Sequence, residues 1–358
     1  MPINQHLTKV FTWLIRGLVL PALLMLAGCG GPTQQPTHPV DVAVPPAASM
    51  DLPPLTAPPN INAALPPGLL TYARQVRFNE LSLDAGLSQS VVLDILQDQQ
   101  GFLWFATQDG LNRYDGYHFK IFKNDPEDTN SPSGNYFSAI DLDDQGRLWA
   151  GTYSGLNCYD PVSGQWTRFQ HDPDDPASLT DDNISSLIIA SDGTIWVGTT
   201  NNGLNQFDPT TGKSVRYRND PDDPRSLGLG SIFNLYEDHS GTLWVGTTEG
   251  GLNRLDKATG TFTRYLNDPQ KPDSLSHNGV QIIYQDRQER LWVGTADGGL
   301  NLFNPRSESF SRYLYDPEDP TSLSHNSVFS IFEDSWGQLW VGTAGGLNIL
   351  DREIGKFT

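Results

Sequence analysis

The chain has 358 residues, of which 37% are hydrophobic and 10% aromatic, so it is long enough to bury a large core. Its formal net charge of −19, from 42 acidic and 23 basic side chains, argues against DNA or RNA as a partner, because nucleic-acid affinity depends on Lys and Arg contacts to phosphate. The 34 Gly and 26 Pro residues disfavour helices and favour short strands joined by turns.

Residues 1–29 have the pattern of a secretory signal. Basic residues precede the apolar run GLVLPALLMLA (17–27), which is short for a membrane span. The ending LAGC (26–29) resembles the lipobox of bacterial lipoproteins, in which the cysteine thiol is acylated. We therefore predict lipid attachment at Cys29. A plain signal peptide and an uncleaved membrane anchor are the alternatives.

Residues 30–70 form a proline-rich segment with four Pro-Pro pairs and almost no charge. Such a sequence cannot build a core and favours extended polyproline-II conformations. It is predicted to be a disordered tether that spaces the following domain from the membrane. A proline-rich ligand for a partner domain is the alternative.

A sequence of the type GTLWVGTTEGGLNRLD (241–256) occurs six times after residue 100. A fixed period of this size is typical of a repeat architecture. The tryptophans of the six copies are spaced by 45 to 48 residues and are Trp104, Trp149, Trp196, Trp244, Trp292 and Trp340.

Each copy divides into four short strand-like runs. In the copy at 230–266 these runs are GSIFNLYED, TLWVGTT, LNRLD and TFTRYLND, separated by Gly, Asp and Asn turns, which predicts an antiparallel meander. A helical solenoid would need apolar residues at i, i+3, i+4 and i+7, which these runs lack. We predict an all-β fold for 71–358: a β-propeller of four-stranded antiparallel blades, with six blades present from a ring expected to be seven-bladed.

Positions that are the same in all copies are assigned to the repeat itself. The Trp is expected to pack between adjacent sheets, and the following Gly-Thr, or Ala106-Thr107 in the first copy, to allow close backbone approach. The Asn of each Leu-Asn pair suits a tight turn or the start of a strand. These asparagines are Asn112, Asn157, Asn205, Asn253, Asn301 and Asn348.

Positions that differ between copies are the candidates for ligand recognition. One set of these positions lies in the turn between the second and third strands. A second set lies 14 residues before each Trp, where a residue is expected to open the innermost strand on the same face of the propeller. In this second set the fourth copy has Gly230, and for the third copy we take Asn183, which is one residue away from the expected position. The alternative is that they only cap turns. The candidate ligand-binding residues are Ser90, Gln108, Asp109, Asn135, Tyr153, Asn202, Glu249, Asn278, Asp297 and Asn326.

The linkers between blades, such as NDPDDPRSLGLGS (219–231), contain Asp-Pro pairs that initiate turns, although clustered Asp could also bind calcium. The stretch 141–152 begins like a calcium loop but has Gln145 and Thr152 at ligand positions, so we interpret it as a hairpin turn. Cys158 is expected to be a partly buried, inert thiol. No catalytic motif is present in the sequence, and we predict no catalytic residues, no metal and no cofactor.

The pattern at 238–256 and 334–351, Asp-x-x-Gly-x-Leu-Trp-Val-Gly-Thr-x-x-Gly-Leu-Asn-x-x-Asp, resembles the two-component regulator propeller repeat. The opening at 78–119 resembles the first blade of bacterial sensors of that family. In such sensors the propeller lies outside the cytoplasmic membrane and precedes an immunoglobulin-like domain, a membrane helix and a histidine kinase or another output domain.

The resemblance implies an extracytoplasmic ligand-sensing β-propeller, the input part of a two-component signal-transduction sensor, held at the cell envelope as a membrane-anchored lipoprotein. The implied partners are a small molecule or glycan fragment, a histidine kinase or other output domain in cis or in trans, and the membrane through the lipid, but no nucleic acid. No kinase nucleotide-binding motif or second apolar span follows residue 120, so no output activity is expected from this sequence.

Two alternatives stay open: a propeller-fold lyase or glycoside hydrolase, and a free-standing lipoprotein module for binding or scaffolding. The enzyme is disfavoured because Asp109, Glu249 and Asp297 are expected in non-adjacent blades without a basic partner.

The two ends of the repeat region predict how the ring closes. QVRFNEL (75–81) resembles the fourth strand of a blade, and GKFT (355–358) begins another. We expect 75–81 to pair with or replace the strand at 355–358 in a six-bladed ring. Otherwise the first and sixth blades would expose apolar faces.

Overall fold

The computed structural model describes residues 81–201 and 203–358. The predictions for the signal (1–29), the tether (30–70) and the strand at 75–80 fall outside these ranges, as does the candidate site residue Asn202. None of the described residues forms a helix of the length and apolarity that a membrane crossing requires.

The described chain folds into six sheets of four strands, which we call blades 1 to 6, preceded by a 3₁₀ helix at Leu83–Ala85. Blade 1 contains β1 (Val92–Gln97), β2 (Leu103–Thr107), β3 (Gly110–Tyr114) and β4 (Phe119–Phe122), and blade 2 contains β5 (Phe137–Leu142), β6 (Leu148–Thr152), β7 (Gly155–Asp160) and β8 (Gln165–Phe169). Blade 3 contains β9 (Ile184–Ile189), β10 (Ile195–Thr199), β11 (Leu204–Asp208) and β12 (Lys213–Tyr217), and blade 4 contains β13 (Ile232–Glu237), β14 (Leu243–Thr247), β15 (Leu252–Asp256) and β16 (Thr261–Tyr265). Blade 5 contains β17 (Val280–Gln285), β18 (Leu291–Thr295), β19 (Leu300–Asn304) and β20 (Ser309–Tyr313), and blade 6 contains β21 (Val328–Glu333), β22 (Leu339–Thr343), β23 (Gly346–Asp351) and β24 (Lys356–Phe357).

Every blade is an antiparallel meander whose strands pair in chain order. The first strands of successive blades, β1, β5, β9, β13, β17 and β21, contact one another in that order, so they are the innermost strands around the axis. The predicted all-β propeller of four-stranded antiparallel blades, six of them present, is confirmed.

The core lies between the blades. Trp149 of blade 2 stacks on Phe169 of its own blade and meets Phe207 of blade 3 edge-on, with ring centroids 5.9 Å apart. In five blades the glycine two residues after the Trp permits this packing, while blade 1 has Ala106. A Cβ on Gly198 would lie 2.5 Å from Cγ2 of Ile232 in the next blade. The structure therefore agrees with the assignment of Trp and Gly-Thr to packing.

A second internal contact fixes the tryptophan ring. In five blades the indole N–H donates to a carboxylate six residues earlier, at 2.8–2.9 Å. In blade 3 that position is Ala190, and Nε1 of Trp196 has no partner among the described residues. The five pairs are Asp98–Trp104, Asp143–Trp149, Asp238–Trp244, Asp286–Trp292 and Asp334–Trp340.

The linkers between blades are structural turns that also cover sheet edges. The first Asp of each accepts a hydrogen bond from the backbone N–H two residues later, as in Asp220 with Asp222 at 2.9 Å. Each linker then lies along the outermost strand of the following blade. The N–H of Ser214 in β12, for example, donates to the carbonyl of Ala177 at 2.6 Å. This contact occupies an otherwise unpaired strand edge.

The stretch 141–152 is a hairpin turn, as interpreted from the sequence. Oδ1 of Asp143 accepts hydrogen bonds from the N–H groups of Gln145 and Arg147, and Oδ2 accepts the indole N–H of Trp149.

At the end of the chain β24 pairs with β23, and the N–H of Phe357 donates to the carbonyl of Thr321 at 2.8 Å. Residues 355–358 therefore begin a fourth strand, while its pairing with 75–81 stays a prediction.

Candidate functional site

One end of every blade brings two kinds of loop together. The N–H of Gly110, in the turn between the second and third strands of blade 1, donates to the carbonyl of Asn135, at the start of blade 2, at 2.7 Å. The N–H of Tyr153, in the corresponding turn of blade 2, donates to the carbonyl of Tyr136 of its own blade at 3.3 Å. In blade 2, whose Gly155 N–H donates to the carbonyl of Asp182 at 2.8 Å, the turn is thus tied both to the loop into its own blade and to the loop into the next. We call this end of the propeller the turn face.

The asparagines that open the innermost strands use part of their side chains for capping. Oδ1 of Asn135, Asn278 and Asn326 accepts a backbone N–H from the preceding linker at 2.7–2.8 Å. In the third copy this role falls to Asp182, whose Oδ1 accepts the N–H of His171 at 2.6 Å. The assignment of Asn183 to this ring is wrong, because the spacing to Trp196 places Asp182 there. Turn capping accounts for these oxygens, and the amide N–H₂ groups of the three asparagines are the donors that capping does not use.

The ring of polar side chains is interrupted at blade 4. Gly230 has φ +101°, and a Cβ there would lie 2.4 Å from Oγ1 of Thr248, so the turn leaves no room for a side chain. Its neighbour Leu229 is exposed instead. Ser90 of blade 1 is also exposed, and its N–H and hydroxyl both donate to Oε1 of Gln89.

An aromatic pair stands out on the turn face. Tyr153 is 48% exposed and stacks on Tyr136, with ring centroids 3.8 Å apart and the planes inclined by 17°. Partial burial, and then the hydrogen bond and charge of Tyr136, raise the pKa of Tyr153 above that of a free phenol. The phenol therefore stays neutral over the physiological range. The variable positions of the repeat indicated Tyr153 but not Tyr136, although no other copy has an aromatic residue at the position of Tyr136.

The carboxylates of the turn face are arranged differently from the expectation. Asp109 has a basic partner, since Lys123 Nζ lies 2.8 Å from its Oδ2. Glu249 and Asp297 are both exposed and occupy equivalent turns of blades 4 and 5, which are adjacent. The expectation of non-adjacent acids without a basic partner is therefore wrong on both counts. Gln108 is half-buried in the turn of blade 1.

The wall of the central channel was not predicted. All six innermost strands carry a register shift near their first residues, and such a bulge re-aims one side chain. In blades 2 and 3 the re-aimed residue is a serine: Ser138 donates to the carbonyl of Ile184 at 2.6 Å, and Ser185 to that of Ile232 at 2.7 Å. In blade 4 it is Phe233, which is 41% exposed. Blade 4 therefore exposes an aromatic ring on its innermost strand where blades 2 and 3 have a serine.

The described residues contain no group of three or more His, Cys, Asp or Glu side chains that could hold a metal ion. The side chains that the turn face does bring together are hydrogen-bonding groups, two exposed carboxylates and a stacked tyrosine pair. This arrangement suits reversible recognition of a ligand that offers both a flat apolar face and polar groups.

Comparisons with known proteins agree with this architecture. The sequence profile of the two component regulator propeller family matches six segments, one in each blade: 86–109, 131–154, 178–201, 226–249, 274–297 and 322–345. A stretch of 48 residues is 60% identical to histidine kinase P4 of Formosa agariphila, covering 13% of this chain and 4% of that protein.

Two solved structures illustrate the range of the fold. The extracellular domain of a protein assigned to the hybrid two-component systems of B. thetaiotaomicron aligns with a TM-score of 0.60 and 28% identity, over 76% of this chain and 41% of that one. A streptogramin B lyase aligns with a TM-score of 0.52 and 14% identity, over 73% of this chain and 80% of that one, which is a likeness of fold alone. The chain thus spans about two fifths of the extracellular domain and a small part of the kinase.

Proposed function

Because this chain is built from six two-component regulator propeller repeats, we propose that it is the ligand-recognising, extracytoplasmic input region of a two-component sensor. The likeness to the extracellular domain of a hybrid two-component system supports the location. The observation that carries the recognition role is the exposed Tyr136–Tyr153 stack on the turn face.

The ligand in this proposal is a small molecule or a glycan fragment. The stacked pair of tyrosines offers a rigid apolar platform for a ring of the ligand, and tyrosine side chains lose little conformational entropy when they bind a ligand. The polar groups that fix the orientation of the ligand come from the neighbouring turns and from the asparagine amide N–H₂ groups that do not take part in capping. The proposed ligand-binding residues are Tyr136 together with Ser90, Gln108, Asp109, Asn135, Tyr153, Asn202, Glu249, Asn278, Asp297 and Asn326.

The signal would pass to a histidine kinase or another output domain, in the same chain or in a separate one. Residues 1–29 would direct export, with Cys29 acylated as a membrane anchor, and residues 30–70 would hold the propeller away from the membrane. Mass spectrometry of the membrane fraction tests this part, since a diacyl or triacyl mass on Cys29 is expected. A mature protein that begins at another residue contradicts it.

The recognition role is tested by screening the purified protein against a panel of neutral oligosaccharides by thermal shift, followed by calorimetry on any hit. Tyr153→Ala should weaken binding at least tenfold, because stacking and its burial are lost together. Tyr117→Ala is the matched control, since Tyr117 is an even more exposed tyrosine in a hairpin at the opposite end of blade 1. Equal affinity of both variants would place the ligand elsewhere.

A further inference from the structure

Blades 2 and 5 show how the repeat completes its own tryptophan site. In blade 2, Arg147 Nε donates to Oδ2 of Asp143 at 2.7 Å, and the indole N–H of Trp149 donates to the same oxygen at 2.9 Å. The guanidinium of Arg147 also lies 5.7 Å from the centroid of the Trp149 ring. Asp286, Arg290 and Trp292 repeat the arrangement in blade 5, where the guanidinium lies 5.6 Å from the ring centroid.

Blades 1 and 4 also place an arginine over the tryptophan ring, but the arginine comes from another strand. There the guanidinium comes from the third strand of the blade: Arg113 lies over Trp104 at 5.7 Å and Arg254 over Trp244 at 6.0 Å. Four blades therefore place both a carboxylate on the indole N–H and a guanidinium over the ring.

Blade 3 supplies neither group. Its carboxylate position is Ala190, and the two positions that provide arginine elsewhere are Thr194 and Gln206. Trp196 is 1% exposed, and its Nε1 is buried without a hydrogen-bond partner among the described residues. A buried donor without a partner is costly, so this departure from the repeat is not neutral for stability.

A cavity of about 510 Å³ opens next to this position, although the buried Trp196 is not itself part of its lining. Thr194 and Gln206 both line it, and Gln206 is the direct cross-strand neighbour of Trp196. The walls are the hairpin between β9 and β10 and the hairpin between β11 and β12. Both hairpins lie at the end of the blade opposite the turn face. The volume falls within the range of about 300–1,000 Å³ that is usual for small-molecule sites.

The cavity is lined by charges of both signs. Asp192 accepts the backbone N–H of Thr194, and this hydrogen bond is the largest cause that lowers the pKa of Asp192. The hydroxyl of Thr211 does the same for Asp208. Both carboxylates are therefore ionised at neutral pH. Lys213 provides the positive charge within the lining, although its Nζ is already paired with Asp175. From outside the lining, Nζ of Lys257 lies 3.8 Å from Oδ2 of Asp192, so a bound cation would share this carboxylate with Lys257.

We propose that the blade 3 cavity binds a small zwitterion that carries a guanidinium or ammonium group and a carboxylate, of which a free amino acid such as arginine is the simplest case. Its cation would lie between Asp192 and Asp208. Its carboxylate would accept the indole N–H of Trp196 after the Gln206 side chain moves aside. The ligand thereby supplies the pair of groups that Asp143 and Arg147 supply within blade 2.

This proposal is independent of the ligand on the turn face. The two sites lie at opposite ends of the blades, so either can be occupied without the other, and a failed oligosaccharide screen leaves this one standing.

The test is an L-arginine titration of the ¹⁵N-labelled protein, in which the indole N–H signal of Trp196 is assigned with Trp196→Phe. That signal should shift saturably, with a Kd of about 1 mM or tighter, while the signal of Trp149 stays in place. Guanidinium chloride or sodium acetate alone should shift it less than arginine at the same concentration. No saturable shift with arginine, or an equal shift with acetate alone, overturns the proposal.

The matched control is a variant in which the protein's own side chains supply the groups that the ligand would supply. Ala190→Asp/Thr194→Arg rebuilds the arrangement of blade 2, so the Trp196 signal should move to a new position and no longer respond to arginine. Gln206→Arg follows the arrangement of blades 1 and 4 and serves as a second variant if the double variant does not fold. An undiminished arginine response in the folded variant contradicts the proposed site.

Discussion

Oδ1 of Asn112 accepts the backbone N–H of Ser88 at 2.9 Å, and Nδ2 of the same asparagine donates to the hydroxyl of Ser88 at 2.8 Å. The loop that leads into blade 1 is thus held by one buried side chain from the third strand. The same Oδ1 contact recurs in every blade, which explains why all copies carry this asparagine. An amide is needed because it accepts and donates at once.

Asn205→Ala should therefore destabilise the protein by about 2–3 kcal/mol, since it leaves the N–H of Thr180 and the carbonyl of Val197 without this partner in a buried place. Asn304→Ala is the control, because Asn304 is exposed and caps only a hairpin. Urea unfolding measures both. A loss below about 0.5 kcal/mol for Asn205→Ala would mean that water replaces the amide.

Gly198→Ala should cost about 1–3 kcal/mol, because the new methyl group would lie 2.5 Å from Cγ2 of Ile232 in the next blade. Ile232→Ala, which removes that atom, is destabilising by itself. The double variant should lose less stability than the sum of the two single variants, since the closest contact is gone and only the 2.8 Å contact with Cβ of residue 232 is left. Simple additivity in a double-mutant cycle would show that the blades separate freely at this point.

Ala190→Asp should raise stability by about 1 kcal/mol, because it gives the indole N–H of Trp196 the acceptor that five other blades provide. Ala258→Asp adds the same charge to an exposed hairpin of blade 4 and should change little. Thermal unfolding compares the two. An Ala190→Asp variant that melts below the parent protein would show that the neighbouring carboxylates of Asp192 and Glu237 outweigh the new hydrogen bond.

The period of the tryptophans was sufficient to predict the blades, their strand order and the packing role of the repeated residues. It was not sufficient for features that depend on register. The bulge at Phe233, which leaves this ring exposed, and the stacking of Tyr136 on Tyr153 both arise from how two strands align. The replacement of Asp by Ala190 is visible in the sequence, but its effect on Trp196 depends on a contact across a hairpin. The misassignment of Asn183 has another cause, since the spacing of 14 residues before Trp196 already indicates Asp182 and the asparagine was preferred only because other copies carry one.

The buried thiol of Cys158 is expected to make the free energy of unfolding decrease as the pH rises in the alkaline range. Burial raises the pKa of its thiol to about 11 in the folded protein, whereas the unfolded chain releases this proton near pH 9. Between these values the folded state binds more protons than the unfolded state, so its stability falls as the pH rises. Cys158→Val should lack this part of the decline, which is about 2 kcal/mol between pH 8.5 and 10.5 at about 1.4 kcal/mol per unit. Parallel curves for both proteins in urea unfolding would show that the thiol is not buried.

The outer edge of blade 3 depends on Arg216. Its guanidinium donates to the carbonyl and hydroxyl oxygens of Ser178 and to the carbonyls of Asp175 and Leu179, which holds the linker along β12. Arg216→Ala should therefore lower stability by about 2 kcal/mol and speed protease cleavage within 171–183, because the linker loses its charge-assisted bonds and uncovers a strand edge. Arg218→Ala removes an equal charge from an exposed position of the next linker and is the matched control. The same cleavage rate in both variants would show that backbone pairing alone, such as that between Ser214 and Ala177, keeps the linker in place.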